Sequence, residues 1–324
     1  MKSINLTAGL FLVFICLLYA TSCDKANKNE NGIEEELTWK YDYSGTLTIS
    51  GKGVIPDYDF SNPPPWSAHQ DKITRVIIGN GISSIGYGVF SSINTLLSID
   101  VDNSNAALCS EDGVLFNKTK TALIQYPAGK TGAYIIPNSV TSIGRSAFGG
   151  CNNLTSVTIP NSVTSIGKQA FGACMGLTSI IIPDLVTSIE QHTFAGCHNL
   201  SSVTIGNSVT TIGTDAFHGC SFTSITIPNS VKTLRIFSFR SCYGLSSITI
   251  PSSVTSIEEL AFALCYYLNE IINESTVPQT IGAQGLFGDF VGEMSARTLR
   301  VPAASLDAYR TAPVWKEFGN IVAI

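Results

Sequence analysis

Residues 160–182 read PNSVTSIGKQAFGACMGLTSIII, and the same phrase returns on both sides of them. Phenylalanines stand at Phe148, Phe171, Phe194, Phe217, Phe239 and Phe262. Three places after each comes a cysteine: Cys151, Cys174, Cys197, Cys220, Cys242 and Cys265. Successive cysteines are separated by 23, 23, 23, 22 and 23 residues. A fixed period in this range marks a solenoid, in which each repeat is one supersecondary unit stacked on its neighbours. Such a stack offers long faces and no cleft by default, so binding or scaffolding is the first expectation.

Within the quoted unit, Val163 and Ile166 flank one short apolar alternation, and Ile180 and Ile182 flank another. Both are rich in β-branched residues and too short for helices, so they predict extended backbone. Pro160 cannot donate a ladder hydrogen bond and should end a strand. Lys168, Gln169, Ala170 and Phe171 predict one helical turn at most. The unit carries too little chain to cover its own apolar side chains, and stacking solves this. Phe171 is expected between Phe148 and Phe194, and Leu177 between Leu154 and Leu200, all sharing one continuous apolar interior. The single 22-residue step falls in the Cys220 copy, CSFTSITIP, where its neighbour reads CHNLSSVTIG. The missing residue is expected in a connecting arc, with Phe222 in the leucine place and a strand over Ile225–Ile227 resuming on schedule.

The copy NSVTSIGRSAFGGCNNLTSVTIP resembles the repeat of the BspA-like leucine-rich repeat proteins, a bacterial surface family. The likeness runs from about Leu37 to Ile324. The stretches SGTLTISGKGVIPDYDF and PPPWSAHQDKITRVIIGNGISSIGYGVF are similar to that family's opening segment. SEDGVLFNKTKTALIQYPAGK resembles a variant repeat, and LRVPAASLDAYRTAPVWKEFGNIVAI resembles an ending common in members from Bacteroides-type bacteria. The resemblance implies a β-rich repeat solenoid of the α/β leucine-rich-repeat type at the cell surface. About six 23-residue repeats, degenerate copies and a cap at each end are expected. It implies no particular ligand.

The start of the chain carries an address. Lys2 precedes an apolar run, LFLVFICLLYA (10–20), too short to span a bilayer and suited to a signal-peptide core. It ends in Ala20, Thr21, Ser22 and Cys23, which resembles a bacterial lipobox with Ala20 where leucine is usual. Cleavage there would leave Cys23 as the lipidated N-terminus; the alternative is an ordinary secretory signal. DKANKNENGIEEE (24–36) is polar and charged and reads as a flexible tether. Its acidic residues behind the cysteine resemble surface-export signals of Bacteroidetes. The chain therefore divides into a signal peptide (1–22), a tether (23–36), an N-terminal cap (37–72), a solenoid (73–273, with an off-period hairpin repeat over 101–134) and a C-terminal cap (274–324). In the last, Leu299 to Pro302 reads as a strand, Ser305 as the N-cap of a short helix through Tyr309, and Trp315 and Phe318 as closing the core.

The net charge is −5 with only 13% charged residues, and no basic patch appears, so nucleic acid is not an expected partner. The chain has nine cysteines. Cys16 leaves with the signal and Cys23 carries lipid, which leaves Cys109 and the column of six. Stacked equivalent side chains keep their β-carbons ~4.8 Å apart, whereas a disulfide needs ~3.8 Å. Six reduced, buried thiols are expected, and no metal or other cofactor is implied. The glycines after isoleucine, Gly86, Gly144, Gly167 and Gly213, suggest a turn with positive φ, although Glu190, Arg235 and Glu258 hold the same place elsewhere. Of the four histidines, His69, His192, His198 and His218, the last three fall in different columns of the repeat, and all read as solvated or loop residues. No phosphate loop, nucleophile elbow or zinc-protease motif is present, so the chain is not expected to be an enzyme.

Positions set by packing repeat, and positions free of it vary. The place after each cysteine reads Asn152, Met175, His198, Ser221, Tyr243 and Tyr266, with Tyr267 following. Aromatics gather toward the C-terminal copies. Met175, His198, Tyr243, Tyr266 and Tyr267 are the candidate ligand contacts, since tyrosine presents apolar area with a polar tip. Ile236, Phe237 and Leu260 vary in another pair of columns and read as cap contacts. An outward strand column, Thr158, Ile181, Thr204, Thr226, Thr249 and Ile272, reads as a β-branched ladder. The expected role is interaction with a protein of a host or neighbouring cell. The alternatives are glycan binding for nutrient capture, and a passive surface spacer.

Overall fold

The structure, a computed structural model, describes residues 37–288 and 294–324. The expected signal peptide, Cys23 and the expected tether lie outside these residues. The chain winds into a β-solenoid of about 11 turns with almost no helix. Each coil contributes a first strand, a tight turn, a second short strand and an arc leading to the next coil. The first strands stack in parallel, as with Ser179–Ile181 on Ser202–Thr204 and Ser247–Ile250 on Glu270–Asn273. The second strands do the same, from Ser188–Ile189 through Thr211–Ile212 and Thr233–Leu234 to Ser256–Ile257. Their registers advance by one repeat, so like stacks on like: Ile189 on Ile212, Ile212 on Leu234.

The invariant positions lie inside. All six column phenylalanines are fully buried, and from Phe148 to Phe262 their rings stack at 4.8–5.6 Å between centroids. Leu154, Leu177 and Leu200 are also fully buried. The six cysteines are free and buried. Each thiol from Cys174 to Cys265 donates to a carbonyl in the preceding coil: Cys174 to Phe148 and Cys197 to Phe171, both at 3.1 Å, and Cys265 to Phe239 at 3.0 Å. Small volume and a weak donor explain the choice of cysteine there. Serine and threonine repeat for a similar reason. Ser162 Oγ donates to the Val140 carbonyl and Thr164 Oγ1 to that of Thr141, one coil back.

The arc is not helical, contrary to the turn expected at Lys168–Phe171. Its N–H groups alternate in use. Those of Ser146, Phe148 and Gly150 donate to the carbonyls of Lys168, Ala170 and Gly172 in the next coil, and those of Gln169, Phe171 and Ala173 repeat the pattern on Gln191, Thr193 and Ala195. The intervening N–H groups close short turns, as from Ala170 to Gly167. A left-handed residue sits at the second place of each arc: Ser146, Gln169, His192, Asp215, Phe237 and Leu260, with φ of 50–60°. A helix requires consecutive right-handed residues and turns its N–H groups on its own carbonyls, so stacking has replaced it. Positive φ thus falls two places after the glycines suggested by the sequence. Gly167 and Gly213 instead permit close approach: a Cβ on Gly167 would lie 2.7 Å from the Arg145 nitrogen.

The 22-residue copy keeps its side-chain register at a cost in pairing. Phe222, Ile225 and Ile227 are buried, but the expected strand is reduced to one bridge, Thr226 to Thr249.

The interior is divided, which the expectation of one continuous core did not foresee. Leu108–Glu111, Val114–Asn117 and Ala122–Gln125 form an antiparallel meander in the off-period repeat, including the expected hairpin. Alternate residues of a strand point to opposite faces. Val114 and Phe116 accordingly enter a larger core that runs to Phe318, whereas Leu115 enters a smaller one that begins at Trp39. Toward the C-terminus the strands Thr298–Val301 and Asn320–Ala323 extend the first sheet in parallel. Trp315 and Phe318 are buried, as expected. The helix runs over Leu306–Thr311, and Ser305 does not cap it: its hydroxyl donates to the Thr276 carbonyl at 2.9 Å, which ties the helix to the last full coil.

Candidate functional surfaces

The arc that follows each cysteine lifts the varying residues off the core, and Cys174, Cys197, Cys242 and Cys265 anchor it from inside. Met175, His198, Tyr243, Tyr266 and Tyr267 are all exposed, Met175 to 44% and Tyr267 to 65%. Coil stacking brings two of them together. The rings of Tyr243 and Tyr266 lie 5.8 Å apart and within 10° of parallel. Their faces are turned on one another, which leaves edges and hydroxyls for a partner. A face-on sugar stack would need free ring faces, and the pair offers these only at its two ends. His198 is less free than its exposure suggests, because its Nδ1 lies 2.9 Å from the Gly219 carbonyl and links two coils. Asn199 does the same, donating to the Met175 carbonyl at 2.7 Å.

The outward strand column is interrupted. Ile181 pairs with Thr204, and Thr249 pairs with Thr226 and Ile272, but no strand pairing joins Thr158 to Ile181 or Thr204 to Thr226. The exposed members form short patches and no unbroken ladder.

Three histidines gather on the arc flank. His218 Nδ1 lies 3.8 Å from Asp215 Oδ1. Burial first, then Arg240 and the neighbouring His192 and His198, hold the His218 imidazole below its ordinary value, while Asp215 opposes them. Among the described residues no group of three or more His, Cys, Asp or Glu side chains is placed to hold a metal ion. Further along the same flank, Phe237 and Leu260 wall a groove of about 420 Å³ with Arg240, Leu264, Gln284 and Phe287.

The fold and its repeats have known counterparts. A family model described as BspA type leucine rich repeat region matches in six copies, over residues 126–235 and 164–283. In structure the chain is similar to a leucine-rich repeat protein from Eubacterium ventriosum, with 22% identity and a TM-score of 0.54 over 84% of this chain and 93% of that one. It is also similar to a leucine-rich repeat protein from Bacteroides ovatus, with 20% identity and a TM-score of 0.51 over 90% of each chain. The pneumococcal vaccine antigen PcpA aligns with 20% identity and a TM-score of 0.53, over 78% of this chain and 56% of its own. At these identities the likeness is one of fold. No curated protein matches the chain.

Proposed function

The repeat region of this chain, residues 126–283, belongs to the BspA-type leucine-rich repeat family, and from that premise we propose that the chain is a non-catalytic binding protein of the cell surface. Its partner is a protein of a host or neighbouring cell. One observation carries the reading: the columns that repeat are buried, and those that vary, Met175, His198, Tyr243, Tyr266 and Tyr267, stand exposed along one flank. Side chains free of packing duty are the ones that can differ from coil to coil to meet a partner. Exposed tyrosines and methionine are residue types that interfaces favour.

The address completes the proposal. An apolar run of signal-peptide length followed by Ala20, Thr21, Ser22 and Cys23 supports lipid attachment at Cys23, with the solenoid displayed outside the outer membrane on the 24–36 tether. Protease added to intact cells should then degrade the protein, and Cys23→Ala should release it from the membrane fraction. Protection from external protease would place the chain elsewhere. Pull-down against host matrix proteins, run beside a glycan array, tests the partner class. A matrix-protein partner weakened by Tyr243→Ala with Tyr266→Ala supports the reading. Binding only to glycans, or to nothing, refutes it.

A further inference from the structure

Among the described residues, the arc ladder loses a whole rung where the off-period repeat interrupts the stack. From the Phe148 coil to the Phe217 coil, each arc donates three backbone hydrogen bonds to the next. The Phe90 coil has the same layout, with Gly88, Phe90 and Ser92 at the places of Ser146, Phe148 and Gly150. Their N–H groups have no partner among the described residues. The coil that should receive them is the hairpin repeat, whose arc is short. From Leu123 to Gly132 is 132 − 123 = 9 residues, and between their strand partners Ile143 and Leu154 it is 154 − 143 = 11. On the far side of the break, the Ala147 carbonyl accepts from the Tyr126 N–H and from Gln125 Nε2, but the carbonyls of Arg145 and Gly149 accept nothing among the described residues. One middle place of the missing rung is filled, and its flanks are not.

A groove of about 770 Å³ opens over this break. Gly88, Ser91 and Ser92 line it on one side, Arg145 on the other, and Phe60 stands on its wall. Three further features point to an occupant. The Ser91 hydroxyl is buried without a partner. Phe60 is fully exposed, an aromatic with nothing packed on it. The Arg145 guanidinium lies 3.4 Å from the centre of the Tyr87 ring and has no carboxylate within ion-pair distance among the described residues. Stacking on a ring leaves the edge of a guanidinium free for a carboxylate. Asp59 also lines the groove and lies within the electrostatic reach of Arg145, but not within ion-pair distance; its Oδ1 accepts from the Ser61 N–H, the Ser61 hydroxyl and the Asn62 N–H at 2.7–2.9 Å.

We propose that this groove binds an extended, carboxylate-bearing peptide segment of a partner protein. At the open end of the rung its backbone carbonyl accepts from Gly88 and its N–H donates to the Arg145 carbonyl, an acidic side chain pairs with the Arg145 guanidinium, and an apolar one covers Phe60; the Ser92 end is closed by Gly150, whose Cβ position lies 3.3 Å from the Ser91 carbonyl. An extended backbone offers donors and acceptors in alternation, as an unfilled rung requires, and peptides are recognised at open sheet edges in this way. A glycan supplies hydroxyls without that spacing. The inference rests on the proposed function and names one site for it.

The test pans a display library of random 12-residue peptides on the full chain. Enriched sequences should carry Asp or Glu among residues that favour extended backbone. They should bind Arg145→Ala at least ~10-fold more weakly, the loss of one charge-assisted contact, and Phe60→Ala more weakly as well. Both side chains are exposed, so unchanged circular dichroism and melting should confirm that each variant folds. Amide exchange at Gly88 should slow when an enriched peptide is bound. No enrichment, or peptides that bind both variants like the wild type, would overturn the proposal. A matrix protein captured equally by wild type and Arg145→Ala would also overturn it while leaving the proposed function in place.

Discussion

Truncating Phe194 to alanine should unfold the middle of the solenoid and leave the smaller core largely intact. The ring is fully buried, with Phe171 stacked at 5.4 Å on one side and Phe217 at 5.5 Å on the other, both within 10° of parallel. Removing a buried phenylalanine costs ~3–5 kcal/mol through lost burial and the cavity left behind. Each stacked pair contributes ~0.5–1.5 kcal/mol beyond burial, and this column cannot close over the gap, because the phenylalanines above and below are held by their own coils. A loss near ~4 kcal/mol is expected, a large part of the ~5–15 kcal/mol that holds an ordinary domain. Repeats interact with nearest neighbours, so the loss falls on two coil interfaces. Urea unfolding followed by tryptophan fluorescence reports this by region. Trp39 and Trp66 belong to the smaller core and Trp315 to the larger. In a Trp315→Phe background only the N-terminal pair reports, and its midpoint should move less than that of Trp315 in a Trp39→Phe, Trp66→Phe background. Phe194→Leu should cost less than Phe194→Ala. A loss below ~1 kcal/mol for Phe194→Ala, or equal shifts at both ends, would refute the stacked-column account and the divided core respectively.

Thiol titration without reductant should find Cys109 alone reactive among residues 37–324 of the folded chain, and six more after unfolding; fewer than six would mean disulfides. The column should resist alkylation even in mild alkali: hydrogen bonding with the neighbouring thiol first, then burial, pushes Cys174 and Cys197 above the usual thiol range, and burial first, then the neighbouring thiols, does the same for Cys220 and Cys242. Asp42 accepts from the N–H groups of Thr46 and Ser44 and from the Ser44 hydroxyl, and the Thr46 bond above all holds its carboxyl down at about 2. A carboxyl lowered on folding stabilises above its unfolded value near ~4 and loses that contribution as pH falls toward the folded value. Wild type should therefore lose more stability than Asp42→Asn between about pH 4 and pH 2, as read by urea midpoints; parallel curves would contradict it. Tyr243→Ala with Tyr266→Ala should change the urea midpoint by less than the equivalent of ~0.5 kcal/mol per residue, as exposed positions do, while weakening partner binding. A large stability loss would make the pair structural.

Period alone was enough to determine the solenoid, its columns and their contents. Equivalent residues of successive coils touch, so a constraint on Phe171 is the same constraint on Phe194 one repeat later, and it is written again each time. The same logic separated buried columns from varying ones and placed Met175, His198 and the tyrosines outside. It could not give the arc's backbone. Ser146, Gln169, Asp215 and Phe237 share a left-handed conformation without sharing a side-chain type, because ladder bonds to the next coil impose it. Nor could it give the divided core or the groove at Arg145. Those arise where a hairpin whose arc is two residues short comes between the Phe90 and Phe148 coils. What an absent rung leaves unpaired is decided only when the chain is wound and the two sides of the break face each other.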